Sequence, residues 1–266
     1  MEPTFSTTVT KIKGDDRYSV EDTLIREIKL EIMINGERVG AMMCTPVDQE
    51  SLAVGYLMSE NIIASAADIQ SMELTHEGMQ IEIEATTNSA AMERLGTEGI
   101  IVSGCGKNST ANIDPERIEA QVIASDLQID AALLFAQMGQ FYTECPLYEE
   151  TGCVHTAKLY IDEDSSYVGE DIAQHNALDK AIGKALLAGA DISRSFVMVS
   201  GRLSSEMVAK AVMHQIPILA SRTASTCLGL KIAEKFGLTL IGFVRGERMN
   251  IYRHPERITL RKTKIP

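Results

Sequence analysis

The sequence predicts an α/β protein in two parts, a small N-terminal α+β roll followed by an α/β domain with helices packed on parallel strands. Two stretches that alternate apolar and polar residues about a turn, with a helix signal between them, predict the roll. After residue 150, short apolar runs alternate with amphipathic helical ones, and that alternation predicts the second part.

In chain order, residues 1–25 show no clear period and read as an arm or edge segment. Ile28 to Cys44 alternates on both sides of Asn35-Gly36, a dipeptide that tolerates positive φ at both positions and so suits a tight hairpin. Thr45-Pro46-Val47-Asp48 reads as a helix start, with Thr45 as cap and Pro46 in the first turn. That helix is expected to run to about Glu60 and to bury Leu52, Ala53, Tyr56 and Leu57. A second hairpin, Met72 to Ala85, turns near Glu77-Gly78. Asp114-Pro115 opens a helix by the same cap-then-proline logic, and Asp130 opens another through Ala131, Leu134, Phe135 and Met138. The tract from Gln140 to His155 is the least regular, which puts the boundary near residue 140 and the two parts at 1–140 and 141–266. Beyond it, Val154 to Ile161 reads as a strand, Asp162 to Ser166 as a reversing turn, and Asp171 to Leu187 as a helix stopping at Gly189. Strand Phe196 to Val199 with helix Ser204 to His214, strand Pro217 to Ala220 with helix Ser225 to Phe236, and strand Leu238 to Val244 complete the pattern.

Composition narrows the function. The chain has 266 residues, 45% apolar and 23% charged, as expected of a soluble globular protein. It has no apolar run near the roughly 20 residues that span a bilayer, and its first residues lack the apolar core of a signal peptide, so a cytoplasmic location is expected. The net charge of −12 argues against general binding to nucleic acid or to an anionic membrane. From Arg245 onward, however, seven basic residues face two acidic ones, a local +5 that leaves −17 on the rest. The five cysteines are odd in number and widely spaced, with no CxxC pair, which argues against a disulfide framework, a zinc ribbon or a thioredoxin motif. Thirteen scattered methionines read as core filler.

Three features carry chemistry. In Gly99 to Asn112, the run Ile100 to Val102 reads as a buried strand that breaks into Ser103-Gly104-Cys105-Gly106-Lys107. The glycines and Lys107 favour a thiolate, which makes Cys105 a candidate nucleophile, while the plainer reading is a small apolar residue in a turn. The second feature is a set of loops on one edge of a parallel sheet: Ser200-Gly201-Arg202, Ser221-Arg222-Thr223 and Arg245-Gly246-Glu247-Arg248. Together they suit an anionic, nucleotide-like ligand; taken singly, they are ordinary helix caps and surface arginines. The third is polar. Asp171, His175 and Asp179 recur at intervals of four, as a metal or acid/base stripe or as an internal hydrogen-bond ladder. Cys153 and His155 offer half a zinc site, but the His-x-Glu and Pro-Cys-x-x-Cys motifs of a zinc deaminase are absent.

Taken together, the ordered blocks INGERVGAMMCTPVDQESLAVGYLMSENII, SGCGK, TGCVH, GEDIAQHNALDKAIGKALL, VSGRLSSEMVAKAV, IPILASRTAST and GLTLIGFVRGERMNIYRHPERI resemble the FdhD (NarQ) family of sulfur carriers required for formate dehydrogenase activity. The resemblance implies a persulfide on Cys105, received from a cysteine desulfurase, and a role as a sulfurtransferase. It implies that Phe243, Val244, Arg245, Gly246, Glu247 and Arg248 touch a molybdenum bis(molybdopterin guanine dinucleotide) cofactor, bound transiently as sulfur acceptor. Ser200, Gly201, Arg202 and Arg222 join that expected binding set, and no resident metal is expected. The implied fold is an α+β domain followed by a three-layer, cytidine-deaminase-like α/β domain, and the implied state is a homodimer. Many relatives carry two loop cysteines as CGxCGK where this chain has only Cys105. Cys153 replaces a glycine of TGGxH, and Ala173 and Gln174 replace Gly and Arg of EDVGRHNAxDK. A cofactor chaperone without sulfur chemistry and a zinc-dependent hydrolase or deaminase using Cys153, His155 and His175 stand as alternatives.

Overall fold

The computed structural model describes residues 1–98, 102–103, 115–162 and 165–260. Two ten-residue strands come first, β1 (Thr4–Lys13) and β2 (Asp16–Ile25), antiparallel and, among the described residues, paired only with each other. The arm expected over residues 1–25 is therefore a regular ribbon. Its serines and threonines suit a pleated strand without giving it an obvious apolar stripe, which hides the period.

β3 (Ile28–Ile34) and β4 (Glu37–Cys44) form the first expected hairpin, with Asn35 at φ 49° and Gly36 at φ 80°. α1 (Gln49–Ser59) follows and buries Leu52, Ala53, Tyr56 and Leu57, as its pattern demands. It starts later than expected. Asp48 precedes it in the left-handed region with no side-chain cap bond, and Thr45, expected to be the cap, is engaged elsewhere. β5 (Ile69–Thr75) and β6 (Gln80–Ala85) make the second hairpin through Glu77 and Gly78, both at positive φ. α2 (Ser89–Glu98) then returns the chain to β7 (Val102–Ser103). The five strands run in the order β5-β6-β3-β4-β7, with β4 and β7 parallel. Leu30, Ile32, Ile34, Ile81 and Ile83 pack with Leu52 and Leu57 of α1 into one core.

β8 (Ile129–Asp130) leads into α3 (Ala131–Gly139), where Asp130 caps as expected by accepting the Ala132 N–H at 2.8 Å. The helix expected after Asp114-Pro115 is, in its described part, a single 3-10 turn at Pro115–Arg117. α4 (Pro146–Thr151), β9 (His155–Tyr160), β10 (Ser166–Asp171) and α5 (Gln174–Leu187) come next. Then β11 (Phe196–Val199), α6 (Ser205–Met213), β12 (Ile218–Ser221), α7 (Cys227–Phe236) and β13 (Thr239–Arg245) alternate as predicted. β14 (Arg248–Arg253) turns back against β13, and β15 (Ile258–Thr259) pairs with β8.

The six-stranded sheet has the order β10-β9-β11-β12-β13-β14. It is mixed rather than wholly parallel: β11, β12 and β13 are parallel, while β9 and β14 run against their neighbours. Side chains alternate between its faces. Ala157, Leu159, Val197, Val199, Leu219 and Leu240 pack under α5, α6 and α7. Phe196, Met198, Ile218, Ala220, Ile241 and Val244 meet Leu134 and Met138 of α3, and Phe141, on the other side. Helices on both faces of one sheet make three layers.

The two sheets meet where α1 crosses α5. A Cβ on Gly55 would lie 2.2 Å from the Asp179 carbonyl oxygen, and one on Gly183 1.9 Å from that of Ser51. Only glycine lets these helix backbones touch.

Candidate functional site

Strand direction brings the sequence-selected loops to one edge. β10, β11, β12 and β13 all end there, and β9 begins there. The loops are tied together by hydrogen bonds. Ser200 Oγ accepts the Thr156 N–H and lies 3.0 Å from His155 Nδ1. The Gly201 carbonyl accepts the hydroxyls of Ser221 at 2.6 Å and Thr223 at 2.7 Å. Phe243 N–H donates to Thr223 O, and Arg245 Nε to Arg222 O at 2.9 Å. Gly201 leaves no room for a side chain, because Gln174 Oε1 lies 2.0 Å from where its Cβ would be.

The cations on this edge are held differently. Arg202, Arg245 and Arg248 are exposed, while Arg222 is half-buried, with its guanidinium 5.6 Å over the ring of Tyr142 and one nitrogen donating to Met138 O. Tyr142 stacks in turn on Tyr148 at 3.8 Å. Phe243 sits at φ +54° beside a register shift in the β13–β14 ladder and is 37% exposed, with Arg245 5.7 Å over its ring. A left-handed backbone at a phenylalanine is uncommon, and here it accompanies an aromatic face turned outward. Gly246 and Glu247 form the turn between β13 and β14, so the third loop is a hairpin rather than a strand-to-helix connection. Val244, read from the resemblance as part of the same set, has its side chain in the core. Ser204 and Thr226 are ordinary caps, accepting the Met207 and Gly229 N–H groups. The edge can offer guanidinium donors to phosphate and aromatic faces to a planar ring.

The Asp171 block does something else. Asp171 ends β10, so it shares no helical stripe with His175 and Asp179, and neither the ladder nor the metal stripe is formed. Its carboxylate is wholly buried and fully satisfied: Oδ1 takes the Ala173 N–H and Asn176 Nδ2, and Oδ2 takes the Thr45 N–H and Lys180 Nζ, the last at 2.7 Å. Lys180 donates as well to Thr45 O and Glu170 O, and Asn176 to Met43 O. These bonds clamp the end of β4 to the sheet edge. Its neighbour β7 pairs Val102 with Ala41 and Ser103 with Met42, parallel to β4 and directed toward the same clamp. Cys105 lies outside the described residues.

Among the other cysteines, Cys44 and Cys145 are buried, and burial pushes their thiols up to about 12 and about 11 respectively. Cys153 and Cys227 are exposed. His155 is engaged with Ser200, and burial followed by the charges of His175 and Arg202 holds it below the usual imidazole range. His175 Nε2 lies 3.0 Å from Glu206 Oε2 and holds that carboxyl below its ordinary range. No group of three or more His, Cys, Asp or Glu among the described residues is arranged to hold a metal, so Cys153, His155 and His175 do not form a zinc site. Sequence reasoning missed the Asp171–Lys180 clamp, β14 and the Tyr148–Tyr142–Arg222 stack. The alternation Arg248-Met249-Asn250-Ile251 carried the signal for β14; the other two had none.

The fold and its edge define a class: a mixed α/β protein whose two sheets are clamped together beside a set of arginine-bearing turns. Comparison gives the family. The chain matches the FdhD/NarQ family model over residues 25–259 and belongs to that family. It is 42% identical over 253 residues to the sulfur carrier protein FdhD of Wolinella succinogenes, covering 94% of this chain and 88% of the relative. The protein of that name from Bacillus subtilis is 32% identical over 256 residues, covering 94% and 98%. A crystal structure described as that of a formate dehydrogenase accessory protein from Desulfotalea psychrophila matches with a TM-score of 0.80 at 28% identity, covering 97% of this chain and all of the other. No helix among the described residues is long and apolar enough to cross a membrane.

Proposed function

We propose that this protein is a sulfur carrier in formate dehydrogenase maturation, with Cys105 as the sulfur-bearing residue. The observation that carries the reading is the match to proteins named as sulfur carriers over nearly the whole chain, together with a glycine-flanked cysteine at SGCGK. Two of the remaining four thiols are buried and poorly ionised, which makes them unsuitable as carriers.

In the proposed chemistry, the Cys105 thiolate attacks the outer sulfur of a persulfide on a cysteine desulfurase. The donor's S–S bond breaks, its cysteine thiolate leaves, and one sulfane sulfur moves without net oxidation. The acceptor is the molybdenum guanine-dinucleotide cofactor, a substrate of this protein rather than a resident group. Arg202, Arg222, Arg245 and Arg248 would take its pyrophosphates and the Phe243 face a planar ring, with Ser200, Gly201, Gly246 and Glu247 shaping the turns. On the same reading, residues 1–140 form the unit that bears the thiol, residues 141–266 a cytidine-deaminase-like unit that holds the cofactor, and the protein works in the cytoplasm as a sulfurtransferase.

Mass spectrometry after incubation with a desulfurase and cysteine tests this. A gain of about 32 Da, one sulfur atom, is expected on the Cys105 peptide. Cys105→Ala is expected to abolish loading and leave nucleotide binding intact. A Cys105→Ala protein that still loads sulfur elsewhere and activates formate dehydrogenase fully would overturn the assignment, and one that never loads but still activates would make the protein a cofactor chaperone.

A further inference from the structure

The first turn of α5 touches both halves of the chain. Asn176, buried there, spends both protons of its amide across the seam: Nδ2 donates to Met43 O in β4 at 2.9 Å and to Asp171 Oδ1 at the end of β10 at 3.0 Å. Two residues earlier, Gln174 Oε1 lies against Gly201 and leaves no room there for a Cβ. Asp171 stands opposite His155 in the β9–β10 ladder, and His155 meets Ser200, the residue before Gly201. An unbroken run of contacts therefore leads from the end of β4 to an arginine-bearing loop.

β4 in turn holds β7. Among the described residues β7 is the last strand of its sheet, only two residues long, and pairs with β4 alone, Val102 with Ala41 and Ser103 with Met42. The bonds that fix β4 begin one residue past that pairing, at Met43 O. They continue at Thr45, whose N–H goes to Asp171, whose carbonyl accepts from Lys180 and whose hydroxyl accepts the Ile172 N–H. Two residues of chain, at most about 7 Å, separate Ser103 from Cys105, so a shift of the strand end is carried toward the thiol over a short tether.

We infer that Asn176 and Thr45 are positioning residues for sulfur delivery: by fixing the end of β4 against α5, they set where β7 hands over the chain that carries Cys105, relative to the loops proposed to hold the acceptor. The inference rests on the sulfur-carrier reading above. In delivery the S–S bond of the Cys105 persulfide breaks, the cysteine keeps its thiolate, and the sulfane sulfur becomes sulfide by taking two electrons from the molybdenum centre. Transfer to an acceptor held on the same molecule depends on approach geometry, and a misplacement of about 1 Å can cost about a hundredfold in rate. Loading makes no such demand, because the desulfurase brings its persulfide from outside and docks on its own terms. The two steps therefore respond differently to a loosened β4.

The test follows sulfur on the Cys105 peptide of the full chain by mass spectrometry, first during loading by a desulfurase and then during discharge. Discharge is measured to the molybdenum guanine-dinucleotide cofactor and, separately, to cyanide, which takes sulfane sulfur as thiocyanate without a binding site. Asn176→Ala is expected to slow discharge to the cofactor at least about tenfold and to leave loading and discharge to cyanide unchanged. Thr45→Val, which removes the hydroxyl that accepts the Ile172 N–H, is expected to slow the same step less, and Thr45→Ser, which keeps it, not at all. Ile83→Val, a truncation in the core of the same half that touches none of these bonds, is expected to change neither step. Normal discharge to the cofactor in Asn176→Ala overturns the inference, as does equal slowing with cyanide or equal slowing in Ile83→Val. Should Asn176→Ala not fold, a Thr45→Val protein that delivers at the wild-type rate overturns it. A wild type that never loads overturns the sulfur-carrier reading itself; one that loads and discharges to cyanide but never to the cofactor overturns the choice of acceptor and this inference with it.

Discussion

At the seam between the sheets, Asp171–Lys180 and Asp179–Lys210 are ion pairs with both members almost wholly buried, and every Asp171 oxygen and Lys180 proton has a partner. At the loop edge, Arg202, Arg245 and Arg248 stand exposed, and Arg245 has a carbonyl and an aromatic face as neighbours. The seam has already used its charges to join two parts of one chain. On the proposed function, the edge holds its charges for something that arrives from outside. The difference teaches that charge count does not find a site here; what separates structure from function is whether the partner groups are already present.

The largest effect that can break this contrast is at the clamp. Lys180→Met leaves the Asp171 carboxylate buried without its cation, and a loss of about 3–5 kcal/mol is expected in urea unfolding. Lys180→Met combined with Asp171→Asn should recover part of that, since the charge itself is then gone. A loss under about 1 kcal/mol from the single change would mean the clamp does not hold the seam.

Next comes pH. His214, beside Ser59 and Lys210 at the same seam, is pushed down to about 3 by burial. The unfolded imidazole binds its proton near pH 6.5 and the folded one resists it, so the contribution is full above pH 6.5 and drains away as pH falls toward 3. Unfolding free energies at pH 7.5 and 4.5 should differ by about 2–3 kcal/mol more in the wild type than in His214→Gln. Equal differences would show that His214 is reached by water before the fold opens.

At the edge the expected signs reverse. Arg245→Ala and Arg248→Ala should change stability by less than about 0.5 kcal/mol. Each should nevertheless weaken binding of guanosine diphosphate, measured calorimetrically, by about 1.5–3 kcal/mol. A variant that unfolds early and binds normally would move these residues to the structural side of the comparison.

The smallest perturbation is chemical. Buried, and with its thiol pushed up to about 12, Cys44 should react with iodoacetamide more slowly than the exposed Cys153 and Cys227 at pH 8, read by peptide mass spectrometry. Equal rates would mean that the seam opens readily.

Much of the fold is legible because its signals are local. Asn35-Gly36 is a hairpin turn by its own backbone preferences, Leu52, Ala53, Tyr56 and Leu57 mark the buried side of α1, and Asp130 caps α3 one step away. Thr45 has equally good local credentials as a cap and is not one, because Asp171, 126 residues later, bonds to its N–H. Asp171 reads as part of a helix for the same reason. Tyr142 and Arg222, 80 residues apart, leave no trace of their stack in the sequence.

By itself, then, the sequence determined the elements whose hydrogen bonds close within a few residues, the acidic balance of the chain, and the ordered motifs that mark its family. Tertiary structure alone decided that the Asp171 block is a clamp and that Arg222 lies against an aromatic ring. It also decided that three distant loops share one edge. These outcomes depend on which groups meet across the fold, and the energy of a buried charge is set by partners that spacing along the chain does not reveal.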